Sequence, residues 1–81
     1  MPKIDTKIEY SCDCYNRDYD ITYGTECDTY EEAKNKVDYY RKLIHDNGEE
    51  DEHLYIEVSK DTVDSNGDII EHKVLNVYHI D

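Results

Sequence analysis

Cysteine and histidine are the residues in this chain best suited to metal binding or nucleophilic chemistry, and there are three of the first and four of the second. Cys12 and Cys14 lie two apart, so on a strand they share a face and can approach one ion, with Cys27 as a third ligand. Paired zinc-binding cysteines are usually separated by about two to four residues. A Cys-x-Cys pair with scattered histidines fits poorly, and small buried core residues are the simpler reading. In the segment from Thr62 to Ile69, Asp64, Asn66 and Gly67 fall at positions expected of a calcium loop. Its first and last ligand positions would be Thr62 and Lys73, neither of which supplies a carboxylate. No metal and no other cofactor is therefore expected. Nothing marks an activated thiol. His45 sits where a helix C-terminus would favour its protonated form, and His53, His72 and His79 fall on strands. Gly24, Gly48 and Gly67 each fall at a turn and form no phosphate loop. The chain is expected not to be an enzyme.

Charge is the more informative chemistry. The 81 residues carry 21 Asp and Glu against nine Lys and Arg, a net charge of −12. That balance argues against direct binding to nucleic acid or to an anionic membrane, both of which need basic patches. It favours attraction to a basic protein. The charge is segregated: Glu9 to Ala33 holds eight acids and one base, Lys34 to Lys42 four bases and one acid, and Leu43 to His72 ten acids and one base. The acids expected to meet a partner lie in stretches 18–28, 46–52 and 61–68: Asp18, Asp20, Glu26, Asp28, Glu49, Glu50, Asp51, Glu52, Asp64 and Asp68. Nine tyrosines stand where phenylalanine and tryptophan are absent. Tyr10, Tyr30 and Tyr40 fall at core positions. Tyr15 and Tyr55 fall on outer ones, where an aromatic with a polar tip can anchor an interface. The plainer readings are an acidic coat that serves solubility and tyrosine replacing phenylalanine in a small core.

These side chains need elements to position them. Residues 3 to 15 alternate, with Ile4, Ile8, Tyr10, Cys12 and Cys14 on one face and Lys3, Asp5, Lys7, Glu9 and Asp13 on the other, as in a half-buried strand. Asn16-Arg17-Asp18 reads as a turn. Tyr19, Ile21 and Tyr23 then mark a second strand that Gly24 ends, with Asp18 and Asp20 as outward neighbours about 6.5 to 7 Å apart. Asp28 or Thr29 can cap a helix, and Thr29 with Glu32 fits a capping box. Tyr30, Ala33, Val37, Tyr40 and Ile44 form its apolar stripe, and Asp46-Asn47-Gly48 stops it. Glu49 to Glu52 reads as a solvated loop. Leu54, Ile56 and Val58 mark a third strand, and Asn66-Gly67 a hairpin turn. The last strand, 69 to 80, alternates imperfectly at Ile69-Ile70 and Val74-Leu75, which calls for a bulge or burial on both faces. The expected architecture is a single α+β domain over 1–81, β-β-α-β-β, a four-stranded antiparallel sheet with one amphipathic helix packed on one face. No apolar run approaches a membrane span. The opening Met1-Pro2-Lys3-Ile4-Asp5 lacks a secretory signal's apolar stretch. A cytoplasmic location with reduced cysteines is expected.

Small size, strong acidity and this element order resemble the phage-encoded inhibitors of bacterial defence, among them anti-CRISPR and DNA-mimic anti-restriction proteins. The resemblance covers the whole chain but rests on no sequence motif, so it carries no residue roles. It implies a phage origin, the cytoplasm of a bacterial host, and a non-enzymatic inhibitor that docks on a basic nucleic-acid-binding effector by charge mimicry. The basic helix departs from a full DNA mimic. The alternative is a small structural or oligomeric accessory protein, a homodimer through an edge strand or the tyrosine-bearing face, whose acidity is incidental.

Overall fold

The alternating segments form the strands, and the three-four repeat forms the helix. A computed structural model describes residues 5–80; Lys3 and Ile4, assigned by the alternation to the first strand, lie outside the described residues. The elements are β1 (Lys7–Asn16), β2 (Ile21–Cys27), α1 (Tyr30–Asp46), a short 3-10 turn (Glu50–Glu52), β3 (His53–Val63) and β4 (Ile69–His79). The strands make one antiparallel sheet in the order β2-β1-β3-β4. This is the expected α+β plan. Each hairpin is local, and the long-range β1–β3 pairing joins the two.

Thr29 caps α1, its hydroxyl accepting from the Glu32 N–H at 3.2 Å. Glu31 and Glu32 place negative charge in the first turn, where the helix dipole favours it. The expected stripe faces the sheet: Ala33, Val37, Tyr40 and Ile44 are buried against Cys12 and Cys14 of β1, Cys27 of β2, and Ile56 and Val58 of β3. All three cysteines are unpaired and belong to this core.

Four local expectations are corrected. First, Gly24 does not end β2; it pairs with Asp13 in mid-strand, and the strand runs on to Cys27. A Cβ on Gly24 would come within 2.5 Å of the Asp13 carboxylate, so the glycine leaves room for that side chain. Second, Tyr15 pairs with Ile21 while Cys14 pairs with Tyr23, so Thr22 is an extra residue and Ile21 moves to the face away from the helix. Third, Asp18 and Tyr19 belong to the turn and Asp20 precedes β2, so the strand spacing expected of Asp18 and Asp20 does not occur. Fourth, Glu49 to Glu52 is more than a solvated loop. It contains the 3-10 turn, and Glu49 accepts from the Tyr23 hydroxyl at 2.7 Å. The imperfect alternation of β4 resolves as two bulges, with Ile70 and Leu75 as the extra residues.

The two hairpin turns are built alike. Asn16 Oδ1 accepts from the N–H groups of Asp18 and Asp20, and Asp64 Oδ1 from those of Asn66 and Asp68, all at 2.9 Å. The fourth residue is left-handed in both: Gly67 with φ 87° and Tyr19 with φ 63°. A side chain there costs about 1–2 kcal/mol, so Tyr19→Gly is expected to raise the unfolding free energy by roughly 1 kcal/mol. Ile44→Ala, emptying a fully buried site, is expected to lower it by about 2–5 kcal/mol. Urea titration followed by circular dichroism checks both.

Candidate functional site

α1 covers one face of the sheet, no described element packs on the other, and the strand register sets that face out in rows. At one end Ile21, Tyr15, Tyr55 and His79 stand side by side across all four strands. The next row is Gly24, Asp13, Glu57 and Val77, and the one after it Glu26, Ser11, Ser59 and Val74. Then come Glu9, Asp61 and His72.

Two of these rows set like charges directly opposite each other: Asp13 faces Glu57, and Glu9 faces Asp61. Such cross-strand pairs are destabilising. Burial raises the Asp13 pKa from its ordinary 3.8, and the neighbouring Glu57 and Asp61 push it further; a bond from Ser11 and the proximity of His72 act the other way. The Tyr15 hydroxyl donates to Glu57 at 3.4 Å and is pushed up to about 12, first by burial and then by Glu57 and Asp13. Asp61 is bonded to His72 at 2.5 Å. Between the acidic rows, the hydroxyls of Ser11 and Ser59 bond at 2.7 Å. Tyr15 and Tyr55 stack with ring centres 4.9 Å apart, and the His79 ring meets Tyr55 edge-on at 6.4 Å.

A second acidic group forms at the aromatic end. The Arg17 N–H donates to the Glu52 carbonyl at 3.2 Å, and the Arg17 side chain bonds the Asp51 carbonyl, so the β1–β2 turn is tied to the 3-10 turn. Asp18, Glu49, Asp51 and Glu52 line one hollow there, with Arg17 among them. Beneath it His53 is 2% exposed, bonded through Nδ1 to the Glu49 carbonyl at 3.0 Å and through Nε2 to the Thr22 hydroxyl at 2.7 Å.

The acids picked from the sequence thus separate. Asp18 and Asp20 share the aromatic end with Glu49, Glu50, Asp51 and Glu52. Glu26 lies on the uncovered face, and Asp28 follows β2. Asp64 and Asp68 close the β3–β4 hairpin at the far end of β3, an 11-residue strand, or about 33 Å away. Tyr15 and Tyr55 are brought together. Asp13, Glu57 and Glu9 fall outside the stretches expected to meet a partner, and Asp61 opens the third of them. Each sits at a polar position of its strand's alternation, but their opposition follows from the β1–β3 pairing, which no local pattern encodes.

The cysteine thiols face the core. Burial pushes Cys12 and Cys14 up to about 12, so both stay protonated and unreactive at neutral pH. Among the described residues no group of three or more His, Cys, Asp and Glu is placed to hold a metal ion. Among them, too, no helix is long and apolar enough to cross a membrane. Comparison with protein-family models, curated proteins and solved structures gave no match.

Asp13 holds its proton more tightly in the folded chain than in the unfolded one. Its contribution to stability therefore falls as pH rises from 3.8 through its raised folded value. Asp13→Asn is expected to flatten that part of the stability–pH profile and to raise the urea midpoint at pH 7. Denaturation series across that range give the measurement; an unchanged midpoint at pH 7 would contradict the assignment.

Proposed function

We propose that the chain is a non-enzymatic binding module whose acidic surfaces hold a basic protein, of the kind that otherwise grips nucleic acid. One observation carries this reading: Asp13 and Glu57 oppose each other across the sheet face away from α1, and among the described residues neither is bridged to a cation. An arginine or lysine brought between them relieves repulsion that the isolated chain must bear, so part of the binding energy comes from removing a penalty. The stacked Tyr15 and Tyr55 beside the acids supply apolar area with polar tips, suited to a desolvated anchor. The acidic end around Asp18, Asp20 and Glu49 to Glu52 extends the same field.

A partner held this way loses access to its nucleic acid, and the module acts as an inhibitor by competition. The resemblance to phage-encoded inhibitors directs the search toward nucleases of bacterial defence, in the cytoplasm of a host cell. A different observation favours the accessory-protein alternative: Ile69, Ile70, Val74 and Val77 of β4 are 44–60% exposed and would give a second copy something to cover. Light scattering distinguishes the two, since a stable dimer at micromolar concentration supports the alternative.

Immobilised protein is expected to retain a basic nucleic-acid-binding protein from a bacterial lysate at about 0.05 M salt and to release it by about 0.5 M. The double variant Asp13→Asn, Glu57→Gln is expected to fold more stably and to bind at least about tenfold more weakly, the loss of roughly 1.4 kcal/mol of charge-assisted bonding. Binding that ignores both salt and the double variant would overturn the proposal.

A further inference from the structure

The sheet has two edges, and they differ. β4 carries Lys73 in mid-strand, and its extra residues Ile70 and Leu75 break the edge into short regular lengths. Lysine and bulges on an edge both oppose pairing with another chain. β2 has neither lysine nor proline; its one bulge, at Thr22, lies near its start, and from Tyr23 to Cys27 its register with β1 is unbroken. Among the described residues, no backbone bond from a turn, loop or cap reaches residues 21–27. The outward N–H and C=O groups of this edge are therefore open to a further strand.

The face beside this edge is hollow. A trough of about 500 Å³ runs along it, lined among others by Ser11, Asp13, Gly24, Glu26 and Asp61. The Asp13 carboxylate lies over Gly24, in the space a side chain there would need, and so stands beside the trough. Acids bracket the strand as well: Asp20 precedes it and Asp28 follows it. On the other side of the sheet the charges are mixed, Glu32 and Asp28 acting on Cys27 against Lys36.

We infer that the β2 edge takes up an extended, basic segment of the partner as a fifth strand, with alternate Arg or Lys side chains entering the trough toward Asp13, Glu26 and Asp61. The inference rests on the acidic docking proposed above and names what docks and where. Backbone pairing supplies affinity without regard to sequence, and the acids select for positive charge. A second copy of this chain is a poor occupant. Antiparallel β2–β2 pairing would bring two copies of Glu26, flanked by Asp20 and Asp28, to one seam in which β2 supplies no lysine or arginine, and like charges close together repel.

The test uses the full chain and short synthetic peptides: one alternating arginine with threonine, its glutamate counterpart, and the arginine peptide N-methylated at alternate amides in either phase. The arginine peptide is expected to bind at low salt and to slow amide exchange along β2 but not β4. Methylation in one phase keeps the charge and removes the strand bonds, and is expected to weaken binding about tenfold or more. Glu26→Lys with Asp28→Lys is expected to weaken it by a similar factor while the circular dichroism stays unchanged. Equal affinity for methylated and unmethylated peptides, or slowed exchange along β4 instead, overturns strand addition and leaves the acidic docking standing. No binding by any arginine peptide at low salt overturns both.

Discussion

The register between β1 and β3 is the constraint on which the rest of the molecule depends. These two strands are central in the sheet, far apart in sequence, and they carry opposite business on their two faces. Toward α1 they set Cys12 against Val58 and Cys14 against Ile56, all fully buried. Away from α1 they set Tyr15 against Tyr55, Asp13 against Glu57, Ser11 against Ser59 and Glu9 against Asp61. A slip of one residue would send charge into the core and apolar groups into water. Two specific contacts oppose a slip: the Ser11–Ser59 hydroxyl bond, with Ser59 fully buried, and the Tyr15–Tyr55 stack. The register that buries the core is also the register that sets like charges face to face. The charge conflict is a consequence of the packing, accepted because the core is worth more.

What the sequence made legible follows from the range of each interaction. The helix, its cap at Asp28 or Thr29 and the places of the two hairpin turns depend on residues within a few positions of one another, and were readable to within a residue or two. The doubled apolar pairs in β4 also announced their bulges, though not which of two causes applied. The bulge at Thr22 gave no such warning, because Ile21 and Tyr23 alternate as a regular strand would. Its effect was large nonetheless, moving Ile21 from the core face to the outer one. Gly24 misled in the same way: a glycine after an alternating run reads as a terminator, whereas here it answers to the Asp13 side chain on the neighbouring strand. The carboxylate pairs were hidden for a related reason. Glu9 and Asp13 were visible as polar positions of β1, but their partners Asp61 and Glu57 lie far along the chain, and only the sheet order brings them opposite.

The paired turns give a direct comparison of two solutions to one geometry. Both use an Asn or Asp side chain to bind two backbone N–H groups, and both need a left-handed fourth residue. The β3–β4 turn supplies glycine. The β1–β2 turn supplies Tyr19, 68% exposed. The strain is borne where the chain is best supported. Arg17 is tied to the Glu52 and Asp51 carbonyls, and Thr22 to the buried His53. The β3–β4 tip stands at the far end of a molecule 54 Å long and has no comparable ties among the described residues. Backbone strain persists when surrounding structure over-determines it, and the aromatic end is where the surroundings do so.

The basic helix acquires a meaning from the same arrangement. Lys34, Arg41 and Lys42 are exposed on α1, which lies across the sheet from the acidic rows. Arg41 sits 5.6 Å over the Tyr78 ring, and Lys36 lies 5.0 Å from the Tyr39 ring, so these cations are engaged on their own side. None of the three exposed cations belongs to the strands that carry Asp13 and Glu57. Had lysines alternated with the acids along β1 and β3, the opposed carboxylates would have been neutralised internally, and the face would have had no unmet demand for positive charge. Of the nine Lys and Arg in the chain, the described ones on β1 and β3 are Lys7 and Lys60. Lys7 lies at the far end of β1, bridged to Glu9 at 3.7 Å, and Lys60 points to the helix side of its strand. The separation of charge along the sequence is thereby a separation between faces. The face toward α1 has cations placed with aromatics, and the other, apart from Lys7 at its far end, has carboxylates placed with each other. A basic partner is attracted to the second face with little interference from the first, because the sheet and its core stand between them.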